Sequence, residues 1–312
     1  MGFYSRTKTY LRYLFAPDFT DGNVDHYNWW SSPEKNSWFS AFIKHHFSAS
    51  KQKIKIYSVF GPPQIVSMYH KKHRKIFFTG ENIHIGAGRS QTYNDLCLQH
   101  VDLSLGFDYL NADNYIRFPL WITYIIPPSS DENMIRESVR SINEARSSNL
   151  YSCALIASHD TWKTRCTIYD SLRNILEIKC PGKWNHNTDD LWNEYRDDKL
   201  KFLHDFKFNI CPENTNTYGY VTEKLFDAMR CGCVPIYSGS DNRPEPGLID
   251  PDSVIFWDDA YPQLSIDKIT LLSCQNNAYE DFISRQKLTS MAVEYISERL
   301  SLLHNAIAKM LD

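Results

Sequence analysis

The sequence has no long hydrophobic run. Nowhere in its 312 residues do about 18 apolar residues follow one another, the minimum for a membrane-spanning helix. Arg12 and Pro17 interrupt the opening stretch, which does not follow the pattern of a secretory leader. Arg6 stands where a myristoylation signal needs Ser or Thr. An excess of charge of one sign is also missing. Lys and Arg number 34 against 37 Asp and Glu, a net charge of −3, which excludes the strongly basic footprint of a nucleic-acid-binding domain. There is no internal repeat and no low-complexity tract. Metal-ligand spacing is lacking as well. The eight cysteines (97, 153, 166, 180, 211, 231, 233 and 274) hold one C-x-C at Cys231 and Cys233, with no matching second pair. His45-His46 and His186 have no partner at ligand spacing. The expectation is a cytoplasmic protein with reduced thiols, no bound metal and no nucleic-acid partner.

Charge does gather once, at His70, Lys71, Lys72, His73, Arg74 and Lys75, which reads as a solvated loop or helix end. With Arg6, Lys8 and Arg12, it is where a peripheral contact with an acidic membrane surface would fall.

Apolar residues reach 42%, enough for two cores, and the length suits two domains. Short apolar runs end in polar or Gly- and Pro-bearing loops at 53–60, 75–79 and 101–107, with helix-length segments between them, the pattern of an α/β unit. A polar helical stretch over 131–149 closes the first domain, which is placed at 1–150. A second α/β domain spans 151–289, with strands predicted at 151–158, 206–211, 234–237 and 253–257. Helices are predicted at 165–175 and 221–229, the latter stopped by Cys231-Gly232. Residues 290–312 form an amphipathic helix through Val293, Ile296, Leu300, Leu303 and Ile307, expected to pack back toward the first domain.

The segment richest in chemistry runs from Lys207 to Gly239. A buried strand leads into Pro212-Glu213-Asn214, then a polar turn, then a helix whose first turn holds Thr222, Glu223 and Lys224. Helix N-termini present N–H groups and a positive dipole end to anions, so this one suits a phosphate, with Lys224 adding a full charge. A helix capped by its own Thr222 is the competing local reading.

The residues themselves narrow the choice. Glu213, Asn214, Tyr220, Val221, Thr222, Glu223, Lys224, Pro235, Ile236 and Gly239 resemble, in order and spacing, the donor-binding motif of the α-1,3/4-fucosyltransferases, glycosyltransferase family ten. Asn28-Trp29-Trp30, Ser58-Val59-Phe60-Gly61, Thr79-Gly80-Glu81-Asn82, Leu105-Gly106-Phe107-Asp108, Arg117-Phe118-Pro119-Leu120 and Arg165 with Tyr169-Asp170-Ser171-Leu172 are similar to its other motifs. The resemblance covers about residues 24–260 and departs at Pro212, at Ser238 and along 83–93, which carries Gly86, Gly88 and Arg89.

The resemblance implies two Rossmann-like α/β domains facing a cleft, the GT-B architecture. It implies inverting transfer of fucose from GDP-fucose to an oligosaccharide or glycoconjugate acceptor containing N-acetylglucosamine, 1,3 favoured over 1,4. Glu81 is the implied base, and Trp29 and Trp30 lie on the acceptor side. Arg165, Asn214, Tyr220, Glu223 and Lys224 hold the donor, with Tyr218 a looser candidate. Arg165 and Lys224 can meet the leaving diphosphate as fixed cations. No cofactor is then required, and a divalent metal would at most stimulate. Asp250-Pro251-Asp252 is read as a turn, and Asp189-Asp190 and Asp197-Asp198 as solvated charges. A transferase using another nucleotide sugar, an idle carbohydrate-binding protein on the same scaffold and a two-carboxylate glycosidase remain the alternatives.

Overall fold

The computed structural model describes residues 16–30, 37–68, 73–85 and 92–312. Expectations that rest on Arg6, Lys8, Arg12, His70, Lys71, Lys72, Gly86, Gly88 and Arg89 lie outside the described residues. The chain divides into two units, Met1–Asp131 with Ile296–Asp312, and Glu132–Tyr295.

In the first unit a six-stranded sheet runs in sequence order: β1 (Phe19–Asp21), β2 (Val24–Tyr27), β3 (Ile54–Tyr57), β4 (Arg74–Phe78), β5 (Leu103–Gly106) and β6 (Tyr115–Arg117). β1 and β2 form an antiparallel hairpin, and every other pairing is parallel. Residues 53–60 alternate polar and apolar, the pattern of a half-buried strand. Instead all four residues of β3 are buried, as expected for a strand flanked on both sides. Lys55 is buried with its ammonium 5.0 Å from the centre of the Tyr27 ring. The solvated reading of the basic cluster is likewise corrected at its end. Arg74 and Lys75 lie on β4, and Lys75 is buried, donating to the Val66 carbonyl at 2.7 Å and to that of Met68.

The second unit holds five parallel strands: β7 (Tyr151–Ala154), β8 (Ile178–Lys179), β9 (Phe206–Ile210), β10 (Val234–Tyr237) and β11 (Ile255–Phe256). Their spatial order is β8-β7-β9-β10-β11. Its core joins Cys153, Phe208, Ile210 and Ile236 of the sheet to Ile168 and Leu172 of the helix Thr164–Leu172 and Ile269 of the helix Pro262–Cys274. The helix Glu132–Glu144 belongs to this unit, so the boundary falls before it and not at residue 150. Its carboxyl end is knotted to the later chain there, since Asn143 Oδ1 accepts from the backbone N–H of Lys287 and Leu288. The last helix, Met291–Leu311, buries Ile296, Leu300, Leu303 and Ile307, and its residues from Ile296 onward cluster with the first unit.

All eight cysteines are free thiols, and six are buried. Asp250-Pro251-Asp252 is the turn that was expected, with Asp250 Oδ1 accepting from the Asp252 N–H at 3.0 Å. Asp198 caps the helix Lys199–His204 and Asp190 pairs with Lys179 at 2.7 Å, so these two carboxylates are structural and not merely solvated. No helix among the described residues is long and apolar enough to cross a membrane.

Candidate active site

In a parallel sheet, ligands gather beyond the carboxyl ends of the strands where the strand order reverses. In the second unit that point lies between β7 and β9, because β8 turns outward from β7 while β9, β10 and β11 proceed the other way. The loop after β7 leads to Arg165. The loop after β9 carries Glu213, Asn214, Tyr220 and Thr222 and leads into the helix Glu223–Arg230, whose first turn holds Glu223 and Lys224.

Arg165 is buried and spans the two loops. Its Nη1 donates to the His159 carbonyl at 2.8 Å and its Nη2 to Asn214 Oδ1 at 2.9 Å. Burial lowers its pKa from the usual guanidinium value, opposed by Asp160 and Glu213. The group stays charged, since an arginine in a protein does not lose its proton.

Two helices begin at this edge, and they differ. At the start of 164–172, the Asp160 carboxylate accepts from the N–H of Arg165 at 3.1 Å and of Cys166 at 2.7 Å, so that N-terminus already holds an anion. At the start of the helix Glu223–Arg230, the Thr222 side chain makes no capping hydrogen bond. The capped-helix reading is thereby overturned. The Thr222 hydroxyl donates instead to Glu213 Oε2 at 2.6 Å.

Glu213 itself is the hub. Its carboxylate is buried and accepts from the Thr222 N–H at 2.8 Å, the Thr222 hydroxyl, Lys224 Nζ at 3.2 Å and the Tyr237 hydroxyl at 3.4 Å. Gly239 makes room for it. A Cβ there would stand 2.7 Å from Glu213 Cγ. Burial pulls the Lys224 pKa down, but Glu213 and Glu223 outweigh it and hold the ammonium well above its ordinary value. For Glu223, burial favours the neutral acid, and Lys224 with Lys199 reverses that, keeping it an ionised acceptor. Lys199, 3.8 Å from Glu223 and 2.7 Å from Asp227, was not foreseen. It lies in a separate helix and nothing in the sequence near it signals the contact. Tyr220 is buried, and Tyr218 is exposed with the Arg243 guanidinium 5.4 Å from its ring centre.

The first unit gathers its motifs at one sheet edge in the same way. Asn28-Trp29-Trp30 follows β2, Ser58–Gly61 follows β3, Thr79–Asn82 follows β4 and Phe107-Asp108 follows β5. Thr79 fixes the backbone at Glu81, its hydroxyl donating to the Glu81 carbonyl at 2.8 Å and accepting from the Glu81 N–H at 3.1 Å. Trp29 and Trp30 meet edge to face at 5.0 Å, and both lie against Phe78, three residues before Glu81. Together with Trp38, Phe39, Leu120 and Tyr124 they line an aromatic cavity of about 300 Å³. Asn28 is structural: at φ 54° it donates to the Pro62 carbonyl at 3.0 Å and the Tyr93 hydroxyl at 2.9 Å. Gly61 is required there, because a Cβ would come within 1.9 Å of Asn28 Oδ1.

Residues 24–124 match the model of the alpha-(1,3)-fucosyltransferase FucT N-terminal domain, and residues 145–306 match that of the glycosyltransferase family 10 (fucosyltransferase) C-terminal region. The chain belongs to glycosyltransferase family 10. It is 27% identical over 318 residues to the alpha-(1,3)-fucosyltransferase FucT of Helicobacter pylori, an alignment covering 85% of this chain and 60% of that protein. A crystal structure of an alpha1,3-fucosyltransferase superposes with a TM-score of 0.62 at 21% identity, covering 92% of this chain and 89% of the other. One with GDP-fucose superposes at 0.54 and 22% identity, covering 83% and 78%. The fold is that of these family members: α/β with two Rossmann-like units, of the GT-B type. The boundary between the two family matches, at residues 124 and 145, brackets the boundary between the units.

Proposed function

We propose that this family 10 protein is an inverting fucosyltransferase that moves L-fucose from GDP-fucose to a hydroxyl of an N-acetylglucosamine-containing acceptor, with 1,3 linkage favoured over 1,4. The observation that carries the proposal is the site at the β7/β9 reversal. A helix start that Thr222 does not cap, the Lys224 ammonium and the Arg165 guanidinium lie together where a nucleotide diphosphate would bring its negative charge. The choice of GDP and fucose rests on the motif resemblance and on the relatives that bear those names.

In this reading the donor is held by Arg165, Asn214, Tyr220, Glu223 and Lys224. Glu223, kept ionised by two lysines, accepts from sugar or ribose hydroxyls. As the bond from fucose to phosphate breaks, charge grows on the diphosphate. Arg165 and Lys224 are already fixed to meet it, so stabilisation needs no reorganisation. Their two positive charges do the work that a divalent ion does elsewhere, so the reaction runs without one. Glu81 takes the proton from the acceptor hydroxyl. Its backbone clamp by Thr79 sets where the carboxylate starts. Trp29 and Trp30 offer apolar faces to the acceptor sugar.

Calorimetry with GDP, GDP-fucose, UDP and a UDP-sugar tests the donor assignment. GDP and GDP-fucose should bind far more tightly than their uridine counterparts. Equal or tighter UDP binding would sink it.

A further inference from the structure

Glu213 has no part in the transfer chemistry above, yet its side chain is more deeply buried than that of its neighbour Glu223. Glu213 is only 3% exposed, yet it sits among four hydrogen-bond donors and within reach of two cations. A buried carboxylate is expensive unless it is paired and hydrogen-bonded. Other parts of the unit are shaped to keep it. Gly239, at φ +156°, leaves the space its side chain needs, and the Glu213 N–H is anchored to the Ser238 carbonyl at 2.9 Å.

We infer that Glu213 is the positioning residue of the donor site, holding Lys224 in place and diverting the Thr222 hydroxyl away from the helix start that receives the diphosphate. The inference rests on the donor reading given above. Two bonds carry it. Thr222 is in the cap position, where a hydroxyl ordinarily accepts from the first-turn N–H groups. Here that hydroxyl donates to Glu213 and accepts from Lys224 Nζ at 2.9 Å, so its proton and one of its two lone pairs are engaged there and none caps the first turn. Lys224 in turn is fixed from below by Glu213 and Thr222, and four-fifths of its side chain is covered. A flexible lysine would lose rotamer freedom on meeting a phosphate. This one has lost it already, so the ligand meets a fixed charge. Glu213 does not touch the ligand. It acts through Thr222 and Lys224.

The test is Glu213→Gln, which keeps the shape and removes the charge, measured by GDP titration across pH 6.5–9.5. The groups that face Lys224 are Glu213 and Thr222 from the loop after β9, Glu223 from its own helix, Arg165 from the helix 164–172 and, across Glu223 Oε1, Lys199 from the helix Lys199–His204. Tyr237 and Cys211 flank Glu213 behind it. With Glu213 neutral, burial and Arg165 both favour loss of the Lys224 proton, and Glu223 alone opposes it. GDP affinity should fall about tenfold or more at pH 7. It should fall further toward pH 9.5 than in the unaltered protein, where Lys224 holds its charge, the ratio of the two affinities cancelling the ionisation of GDP itself. A role in folding alone would lower the melting temperature without creating this alkaline limb.

Thr222→Val and Thr222→Ser keep the inference testable should Glu213→Gln fail to fold. Valine should weaken GDP binding several-fold, and serine should restore it. Unchanged affinity and pH profile in Glu213→Gln, or equal binding by the valine and serine variants, overturns the inference. If the unaltered protein prefers UDP, the donor reading fails. The same titrations with UDP then decide the role of Glu213 on its own.

Discussion

Gly239→Ala is a one-methyl perturbation whose effect can be worked from the packing. The added Cβ would stand 2.7 Å from Glu213 Cγ, 2.9 Å from the Tyr237 hydroxyl and 3.0 Å from Glu213 Cβ. Real Cβ atoms essentially never come within 3.0 Å of a heavy atom outside their own and adjacent residues, so something has to move. Tyr237 is fully buried and Glu213 nearly so, so neither can swing into solvent. The backbone at φ +156° and ψ 167° is also a region that only glycine occupies readily. Overpacking of a tight core and a strained non-glycine backbone together cost about 2–6 kcal/mol. The damage is not confined to stability. The atoms displaced are those that fix Thr222 and Lys224, so the surviving folded protein should also bind GDP more weakly. Urea unfolding of both proteins gives the first quantity, and calorimetric GDP titration of the folded variant gives the second. A variant as stable as the parent and equal to it in GDP affinity would refute the packing account of Gly239 and Glu213.

Glu81→Gln should reduce transfer by about 10²-fold or more, the scale of a lost general base, and leave GDP-fucose affinity nearly unchanged. Lys224→Ala should instead weaken GDP binding by about 1.5–3 kcal/mol, if its bond to the diphosphate is charge-assisted, and slow transfer too. Calorimetry beside steady-state rates separates the two signatures. EDTA should leave most of the activity; complete loss restored only by Mn²⁺ or Mg²⁺ would disprove the two-cation account of the leaving group. Lys287 gives a pH dependence with a definite sign. Burial, aided by Arg146, lowers its pKa from 10.5 to about 8, while its ammonium donates to the Asn143 and Ala145 carbonyls. Between those two values the unfolded chain binds the extra proton, so this group's contribution makes stability rise with pH from about 8 to about 10. Lys287→Met should remove that increment, as read from urea midpoints at pH 8 and pH 10.

The placement of the site was legible in the sequence to the degree that its motifs were contiguous. Lys207–Gly239 holds strand, loop, helix start and following strand in one stretch, and β9, the helix 223–230 and β10 fall where the pattern put them. What that stretch does not reveal is the direction of its hydrogen bonds. A threonine before a helix reads as a cap, and only the approach of Glu213 shows that its hydroxyl faces elsewhere. Glu213 was visible as a motif letter, but its burial depends on Tyr237 and Gly239, more than twenty residues onward. Lys55, in an alternating run, and Lys75, at the end of a basic cluster, misled because both patterns assume that a lysine seeks water. Both lie on inner strands of a parallel sheet, where covered stems leave the ammonium to an aromatic ring or to carbonyls. The boundary near 150 failed for a related reason. The helix 132–144 is polar on most of its surface, and the three residues it buries, Ile135, Val139 and Ile142, do not say which unit they face.

The central claim is transfer of fucose from GDP-fucose, and product analysis tests it most directly. The protein would be incubated with GDP-fucose and, separately, N-acetyllactosamine and its type 1 isomer, in the presence of EDTA. Released GDP would be quantified and the linkage determined by NMR. The account predicts stoichiometric GDP and an α-fucosyl group on the N-acetylglucosamine ring, at O3 of N-acetyllactosamine. No fucosylated product from either acceptor, with transfer seen instead from another nucleotide sugar, would contradict it.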